Sequence, residues 1–99
     1  MFIQWTNSAF AELENFPQEI AFEIIKQTDF LTLFPEMGNS LESRFARLRD
    51  FRHLVIRRKF RVVYQYLKTE QAVYILAVQR CRQKLPTASD LKRRKANID

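Results

Sequence analysis

The sequence is poor in the residues that build disulfides, metal sites and irregular turns. Its 99 residues include one cysteine, Cys81, one histidine, His53, and one glycine, Gly38. A lone cysteine cannot form an internal disulfide, which is typical of a protein in the reducing cytoplasm. One histidine and one cysteine also fall short of the ligands of a standard zinc site, so we expect neither a metal ion nor another cofactor.

Long hydrophobic segments are absent as well. No run approaches the ~20 apolar residues that cross a bilayer. The opening residues, MFIQWT, lack the basic and apolar regions of a signal peptide, so we expect no membrane partner. What the chain does have is 46% hydrophobic residues, nine of them Phe, which is enough for one core. A single domain over residues 1–99 is therefore predicted.

Charge is distributed unevenly along the chain. Residues 1–43 hold seven acids and one base, Lys26, which gives a net charge of −6. Residues 44–99 hold sixteen Lys and Arg against four acids, a net charge of +12, and the whole chain carries +6. The second half thus predicts a surface that attracts phosphate backbones or an acidic protein segment.

Two helices joined by a short break are predicted for the first half, after an opening strand at Met1–Trp5. The first helix covers Ala9–Leu13, and three candidate N-cap residues precede it: Thr6, Asn7 and Ser8. Apolar residues then recur at helical spacing across 17–33, with Pro17 suited to the first turn. Together these segments form a helical hairpin.

The second half changes to the composition of strands. Three segments rich in Val, Ile, Phe and Tyr are separated by hairpin-length gaps, which predicts an antiparallel meander: Phe51–Ile56, Phe60–Leu67 and Ala72–Val78. Residues 87–99 are polar and basic. Two interpretations stay open for them, a short helix that Ser89 caps and a frayed tail.

The order of these elements and several short motifs resemble a known family. The chain resembles the RelE/ParE toxins of bacterial type II toxin–antitoxin systems from about residue 3 to residue 86, on these motifs: Pro35-Glu36-Met37-Gly38, Leu48-Arg49, Phe60-Arg61-Val62-Val63-Tyr64 and the strand 75–82, ILAVQRCR. The resemblance implies an α+β fold in which the helical hairpin packs on a small, mainly antiparallel sheet. It also implies a growth-inhibiting toxin with a cognate antitoxin, whose acidic or amphipathic C-terminal segment binds it.

The family's two branches imply different targets. A RelE-like member cleaves mRNA on the ribosome, and the residues of this chain that match or lie near such a site are Arg52, Arg61, Arg80 and Arg82, with His53 as a further candidate. A ParE-like member poisons DNA gyrase and is not an enzyme. Leu54 stands where RelE-like toxins have a lysine, and Leu85-Pro86-Thr87 stands where they have a tyrosine, which favours gyrase slightly. A degenerate toxin that only binds its antitoxin is the third hypothesis.

Proton transfer is the chemical difficulty for an RNase in this chain. Arginine, with a pKa above ~12, is a poor proton shuttle, and His53 alone titrates near neutral pH. Strand alternation places His53 opposite Arg52 and Leu54, so it is either a base on the Arg61 face or a surface or packing residue. Arg61 itself has two interpretations, a phosphate ligand and an ion pair with Asp50 or Glu42.

The remaining basic residues predict a surface for the target or the antitoxin. This surface comprises Arg49, Arg57, Arg58, Lys59 and Lys84. Within it, Arg57-Arg58-Lys59 reads as a hairpin tip that is either merely solvated or in contact with nucleic acid or an acidic antitoxin segment. Tyr64 and Tyr66 share a strand face with Phe60 and are predicted to lie in the core.

Overall fold

Five strands and three α-helices make up the part of the fold that the structure describes. The computed structural model describes residues 1–43 and 45–98, with only the backbone of Ser43, so that Arg44 and Asp99 lie outside the described part. The strands are β1 (Phe2–Trp5), β2 (Asn39–Ser40), β3 (Arg52–Ile56), β4 (Phe60–Leu67) and β5 (Ala72–Arg80). The helices are α1 (Asn7–Glu14), α2 (Gln18–Asp29) and α3 (Ala88–Lys95).

The strands form one sheet in the order β1-β5-β4-β3-β2. The antiparallel meander of β3, β4 and β5 confirms the sequence prediction. Two features were not predicted. β1 pairs in parallel with β5, from Phe2 opposite Ala72 to Trp5 opposite Ile75, and the two-residue β2 adds an antiparallel edge beside β3. Both pairings join segments distant in the sequence, which local patterns do not reveal.

The helical hairpin covers one face of the sheet. Thr6 is the N-cap of α1: its hydroxyl accepts a hydrogen bond from the Ala9 amide at 3.2 Å and donates one to the Ile75 carbonyl at 3.0 Å. α2 follows Pro17 and continues into a 3₁₀ turn at Phe30–Thr32, in agreement with the helix predicted over 17–33. Its buried residues pack on the sheet because they recur at helical spacing: Ile24, Thr28 and Leu31.

A second, smaller core lies on the opposite face of the sheet. It contains buried side chains from the 41–51 segment, from β4 and β5, and from α3: Leu41, Leu48, Phe51, Val63, Leu76, Ala77 and Leu91. α3 is therefore packed against the sheet through Leu91, which is fully buried. Its N-cap is Thr87, whose hydroxyl accepts from the Asp90 amide at 3.1 Å, and not Ser89, which lies inside the helix.

Both faces of the sheet are thus covered, and the fold is the predicted α+β arrangement of a helical hairpin on a mainly antiparallel sheet. A β-bulge places Leu76 as the extra residue of β5, because Val63 pairs with Ala77 while Tyr64 pairs with Ile75. None of the described helices has the length and apolar character needed to cross a membrane.

Candidate functional site

Arg61 lies almost completely buried on the face of the sheet that α3 covers. Its side chain is 4% exposed. The Nε atom donates a hydrogen bond to Oε1 of Gln79 at 2.6 Å, and Nη2 donates to the backbone carbonyl of Gln83. The Gln79 side chain in turn donates to the Lys84 carbonyl at 3.2 Å. The sequence had suggested a carboxylate partner for Arg61, whereas the acceptors of these hydrogen bonds are amide oxygens. The contacts attach the segment after β5 to the sheet.

A groove of about 650 Å³ opens beside Arg61. It runs between the 45–48 segment and residues 81–89. Its walls combine apolar side chains with three bases: Phe45, Leu48, Leu85 and Pro86, and Arg47, Arg61 and Lys84. This mixture can hold an apolar or aromatic group beside a negative charge.

Arg52 lies on the opposite face, which the helical hairpin covers, and is bound to the turn before β2. Its guanidinium donates to the Gly38 carbonyl at 2.6 Å and to the Glu36 carbonyl at 3.3 Å. It also pairs with the Glu36 carboxylate at 3.3 Å, although that carboxylate is largely exposed. Arg52 therefore stabilises the Pro35–Gly38 turn.

Tyr64 holds the same turn through its hydroxyl group. Its hydroxyl donates to the Pro35 carbonyl at 2.8 Å and accepts from the Gly38 amide at 2.9 Å. The pKa of the Tyr64 hydroxyl is raised, because the effect of burial outweighs the hydrogen bond from Gly38 and the charge of Arg52, both of which lower it. A Cβ at position 38 would lie 2.6 Å from the His53 carbonyl oxygen, which explains the chain's single glycine.

Arg80 and Arg82 are separated although they are near in sequence. The Arg80 guanidinium packs on the rings of Phe16 and Phe60, 5.5 and 5.6 Å from their centroids, on the face that the helical hairpin covers. Arg82 lies in the exposed turn after β5, where the described residues give its side chain no hydrogen bond.

His53 shares the face of Arg61. In the register of β3 and β4, His53 lies opposite Val63, and Val55 lies opposite Arg61. The residues of β3 on the Arg61 face are therefore His53 and Val55, while Arg52 and Leu54 point toward the helices, as strand alternation predicts. The resemblance had associated Arg52 and Leu54 with the Arg61 site. The structure thus brings His53 and Arg61 to one face of the sheet and places Arg52 and Arg80 on the other. Arg82 lies in the turn after β5, next to Gln83, whose carbonyl accepts a hydrogen bond from Arg61.

The predicted binding residues are mostly exposed. Arg57 is held at the hairpin tip by Glu23, whose two carboxylate oxygens each lie 2.9 Å from its Nε. That hydrogen bond, followed by the Glu23 charge, raises the pKa of Arg57. Arg49, Arg58 and Lys59 are exposed, and Lys84 lies at the groove. Cys81 is partly exposed there, and its amide donates to the Lys59 carbonyl at 2.8 Å.

Sequence analysis missed an apolar surface on the outside of the helical hairpin. The surface, here named the hairpin apolar surface, comprises Phe22, Ile25, Phe30, Leu33 and Phe34, which are 37–71% exposed. Phe22 and Ile25 lie on the side of α2 away from the core, and Phe30, Leu33 and Phe34 lie in the 3₁₀ turn that follows and just after it. A helix with apolar stripes on both sides is typical of one that is covered by a partner. The second stripe was readable from the sequence.

No group of three His, Cys, Asp or Glu within residues 1–43 and 45–98 is arranged to hold a metal ion.

The chain matches the sequence model of the ParE toxin of the type II toxin–antitoxin system parDE over residues 3–85. It belongs to the ParE toxin family, within the RelE/ParE superfamily of type II toxins. No curated protein sequence matched it.

Solved structures of related toxins share the fold. The isolated RelE toxin of Escherichia coli is 18% identical with a TM-score of 0.68, over 93% of this chain and 96% of that one. The toxin in the intact RelBE complex of the same organism is 16% identical with a TM-score of 0.67, over 83% and 98%. A chain of the RelBE2 toxin–antitoxin complex of Mycobacterium tuberculosis is 21% identical with a TM-score of 0.65, over 80% of this chain and 95% of that one. The TM-scores establish a shared fold, whereas sequence identities this low leave the target of the toxin open.

Proposed function

We propose that this toxin acts in the cytoplasm by binding DNA gyrase and stopping growth, without cleaving RNA. The observation that carries the proposal is the division of the predicted catalytic residues. Arg52 and Arg80 lie on the face of the sheet that the helical hairpin covers. Arg61 and His53 lie on the opposite face, which α3 covers in part. Moreover, Arg52, Arg61 and Arg80 each contact other parts of the fold.

RNA cleavage needs more than positive charge. Attack by a 2′-hydroxyl requires a base, an acid for the leaving oxygen and cations for the phosphate. On the Arg61 face, His53 is the one predicted candidate for a proton carrier, and the buried Arg61 already donates to Gln79 and Gln83. A toxin that acts by binding its target needs no such set, and the same residues then serve as a scaffold.

The alternative is a ribosome-dependent mRNA endonuclease. It is favoured by one observation: His53 and Arg61 share a face, and Arg61 lines a groove that also holds Arg47, Lys84 and the half-exposed ring of Phe45. Such a groove suits an RNA base beside its phosphate. In this hypothesis the general base is His53, and Arg61 stabilises the negative charge.

A cognate antitoxin that neutralises the toxin belongs to the same proposal. The hairpin apolar surface supports it, because several exposed large apolar side chains on one short segment of a small domain are typical of a protein interface. The solved RelBE structures are themselves complexes of a toxin with an antitoxin. We expect an amphipathic antitoxin segment to cover the apolar stripe and acidic residues to contact the basic second half of the chain.

The proposal is tested by inducing the toxin without its antitoxin and mapping DNA breaks and mRNA 5′ ends in the same cells. Gyrase-dependent DNA breaks with intact mRNA are expected. Codon-positioned RNA ends without DNA breaks would establish the endonuclease instead, and His53→Ala should then abolish them while the protein stays folded. Absence of any growth defect would contradict both and leave a protein that only binds its antitoxin.

A further inference from the structure

The β3–β4 hairpin tip and the turn after β5 together present a cluster of bases at one end of the sheet. We name this cluster the basic edge and define it as Arg58, Lys59, Arg82 and Lys84, all of them exposed. We propose that the basic edge binds the phosphate backbone of a nucleic acid. The inference goes beyond the proposed function, because it holds whichever target the toxin has.

The backbone of the hairpin tip is the first observation. Arg57 and Arg58 both have positive φ angles, 55° and 58°, and the Lys59 amide donates to the Ile56 carbonyl at 3.1 Å. The connection between β3 and β4 thus has three residues, 57–59, and contains a β-turn from Ile56 to Lys59 whose two central residues are left-handed, positions that Asn and Gly favour. Two arginines occupy positions that the fold alone would give to smaller residues, so a reason outside turn geometry is required.

For Arg57 that reason lies inside the molecule, since its guanidinium pairs with Glu23 of α2 and fixes the tip. Arg58 is different. Its side chain is exposed, and no described residue hydrogen-bonds or pairs with it. The same is true of the Lys59 side chain within the described part of the chain. Arg58 therefore presents its charge to solvent from a backbone position that the Arg57–Glu23 pair fixes, where a molecule outside this chain can contact it.

A rigid frame brings the second group of bases beside the tip. The Cys81 amide donates to the Lys59 carbonyl at 2.8 Å, so the chain after β5 runs next to the tip. The following turn is closed from both sides: the Gln83 amide donates to the Arg80 carbonyl at 3.0 Å, and Oε1 of Gln83 accepts from the Arg80 amide at 2.8 Å. Arg82 stands at the corner of this turn with its side chain in solvent.

The chemistry of the cluster selects a nucleic acid over an acidic protein segment. Protein interfaces rely on apolar and aromatic anchors at their centre, and the basic edge contains no exposed apolar side chain. Exposed apolar side chains lie in the groove, which the basic edge meets only at Lys84, and on the hairpin apolar surface. Glu23, the carboxylate at the tip, is already paired with Arg57. Exposed bases on a rigid backbone suit a repeating row of phosphates, which they position without reading sequence.

The test uses the purified toxin and three fluorescent probes of equal length: duplex DNA, single-stranded DNA and single-stranded RNA. Anisotropy gives the dissociation constant at several salt concentrations. The double variant Arg58→Asn with Lys59→Gln removes two charges, and Asn suits the left-handed position, so the fold is retained. We expect the slope of log affinity against log salt to become shallower by about two.

The matched control is Lys68→Gln with Lys92→Gln, which removes the same charge from exposed residues outside the basic edge. Its slope should stay close to that of the unchanged toxin, and Arg58→Lys should retain binding. A preference among the probes then identifies the source of the phosphates as DNA or RNA. Equal loss in both double variants would reduce the effect to net charge and overturn the proposal. Binding to a polyglutamate peptide but to none of the three probes would overturn it as well.

Discussion

Nη1 of Arg94 lies 2.9 Å from Oε1 of Glu12, a contact between residues 82 positions apart. The same Glu12 oxygen accepts the Val78 amide at 3.0 Å, and Arg94 also donates to the Leu76 carbonyl at 3.0 Å. One carboxylate and one guanidinium thus join α1, the bulged part of β5 and α3. The fully buried Leu91 completes the attachment of the C-terminal helix.

Replacing Arg94 tests this attachment. We expect Arg94→Ala to lower the free energy of unfolding by about 1–3 kcal/mol, because it leaves a half-buried Glu12 carboxylate and a backbone carbonyl with fewer donors. Amide hydrogen exchange in residues 88–98 should accelerate more than in β4. Arg93→Ala is the control, since Arg93 is 75% exposed and contacts only its own helix and its C-terminal end. Equal effects of the two variants would contradict the role of Arg94.

Acid should loosen the same helix. Burial opposes ionisation of Asp90, but the hydrogen bond from Arg93 and the charge of Arg94 outweigh it, so the pKa of Asp90 is lowered. A carboxyl with a lowered folded-state pKa stabilises the fold above its unfolded value of about 3.9, and this contribution is lost as pH falls through the folded value. The protection factors of the α3 amides, which correct for the intrinsic pH dependence of exchange, should therefore fall below about pH 4, and Asp90→Asn should remove that part of the pH dependence.

The Pro35–Gly38 turn depends on one hydroxyl. Tyr64→Phe removes the hydrogen bonds to the Pro35 carbonyl and the Gly38 amide and leaves both groups in a buried site. We expect a loss of about 1–3 kcal/mol in urea unfolding. Tyr66→Phe is a matched change two residues away, because no described residue hydrogen-bonds its hydroxyl, and it should be nearly neutral. If both variants unfold at the same urea concentration, the turn does not rely on Tyr64.

Antitoxin affinity should depend on the hairpin apolar surface. Leu33 is 71% exposed, so Leu33→Asp should leave the free toxin folded and weaken antitoxin binding at least about tenfold, or ~1.4 kcal/mol. Phe2→Asp, an exposed aromatic on the edge strand β1, is the control. Calorimetry at two salt concentrations separates the forces: an apolar interface changes little with salt, and one made mainly of charges weakens. An unchanged affinity for Leu33→Asp would place the antitoxin elsewhere.

Local patterns predicted the elements well and their long-range pairings poorly. The periodicity of α2 and the composition of β3, β4 and β5 are properties of short windows, and the structure confirms them. The parallel pairing of Phe2 with Ala72 and the two-residue β2 depend on segments far apart in sequence. The bulge at Leu76 was invisible for the same reason, since it exists only relative to β4.

The candidate site shows the same limit. Strand alternation correctly separated His53 from Arg52. It did not reveal that Arg61 donates to Gln79 and Gln83, because those partners come from the neighbouring strand and the turn after it. The outer apolar residues of α2, Phe22 and Ile25, were present in the sequence, but apolar residues at helical spacing were assigned to the core.

The parallel strand pair has a consequence for how the toxin is made. β1 leaves the ribosome well before its partner β5, because Phe2 pairs with Ala72, which lies 70 positions later in the chain. Pairings this distant are slow to form, because a long loop must close before any contact rewards it. The native sheet is therefore completed only after β5 has left the ribosome and paired with β1. Until then, the edge of β5 is open to any other strand.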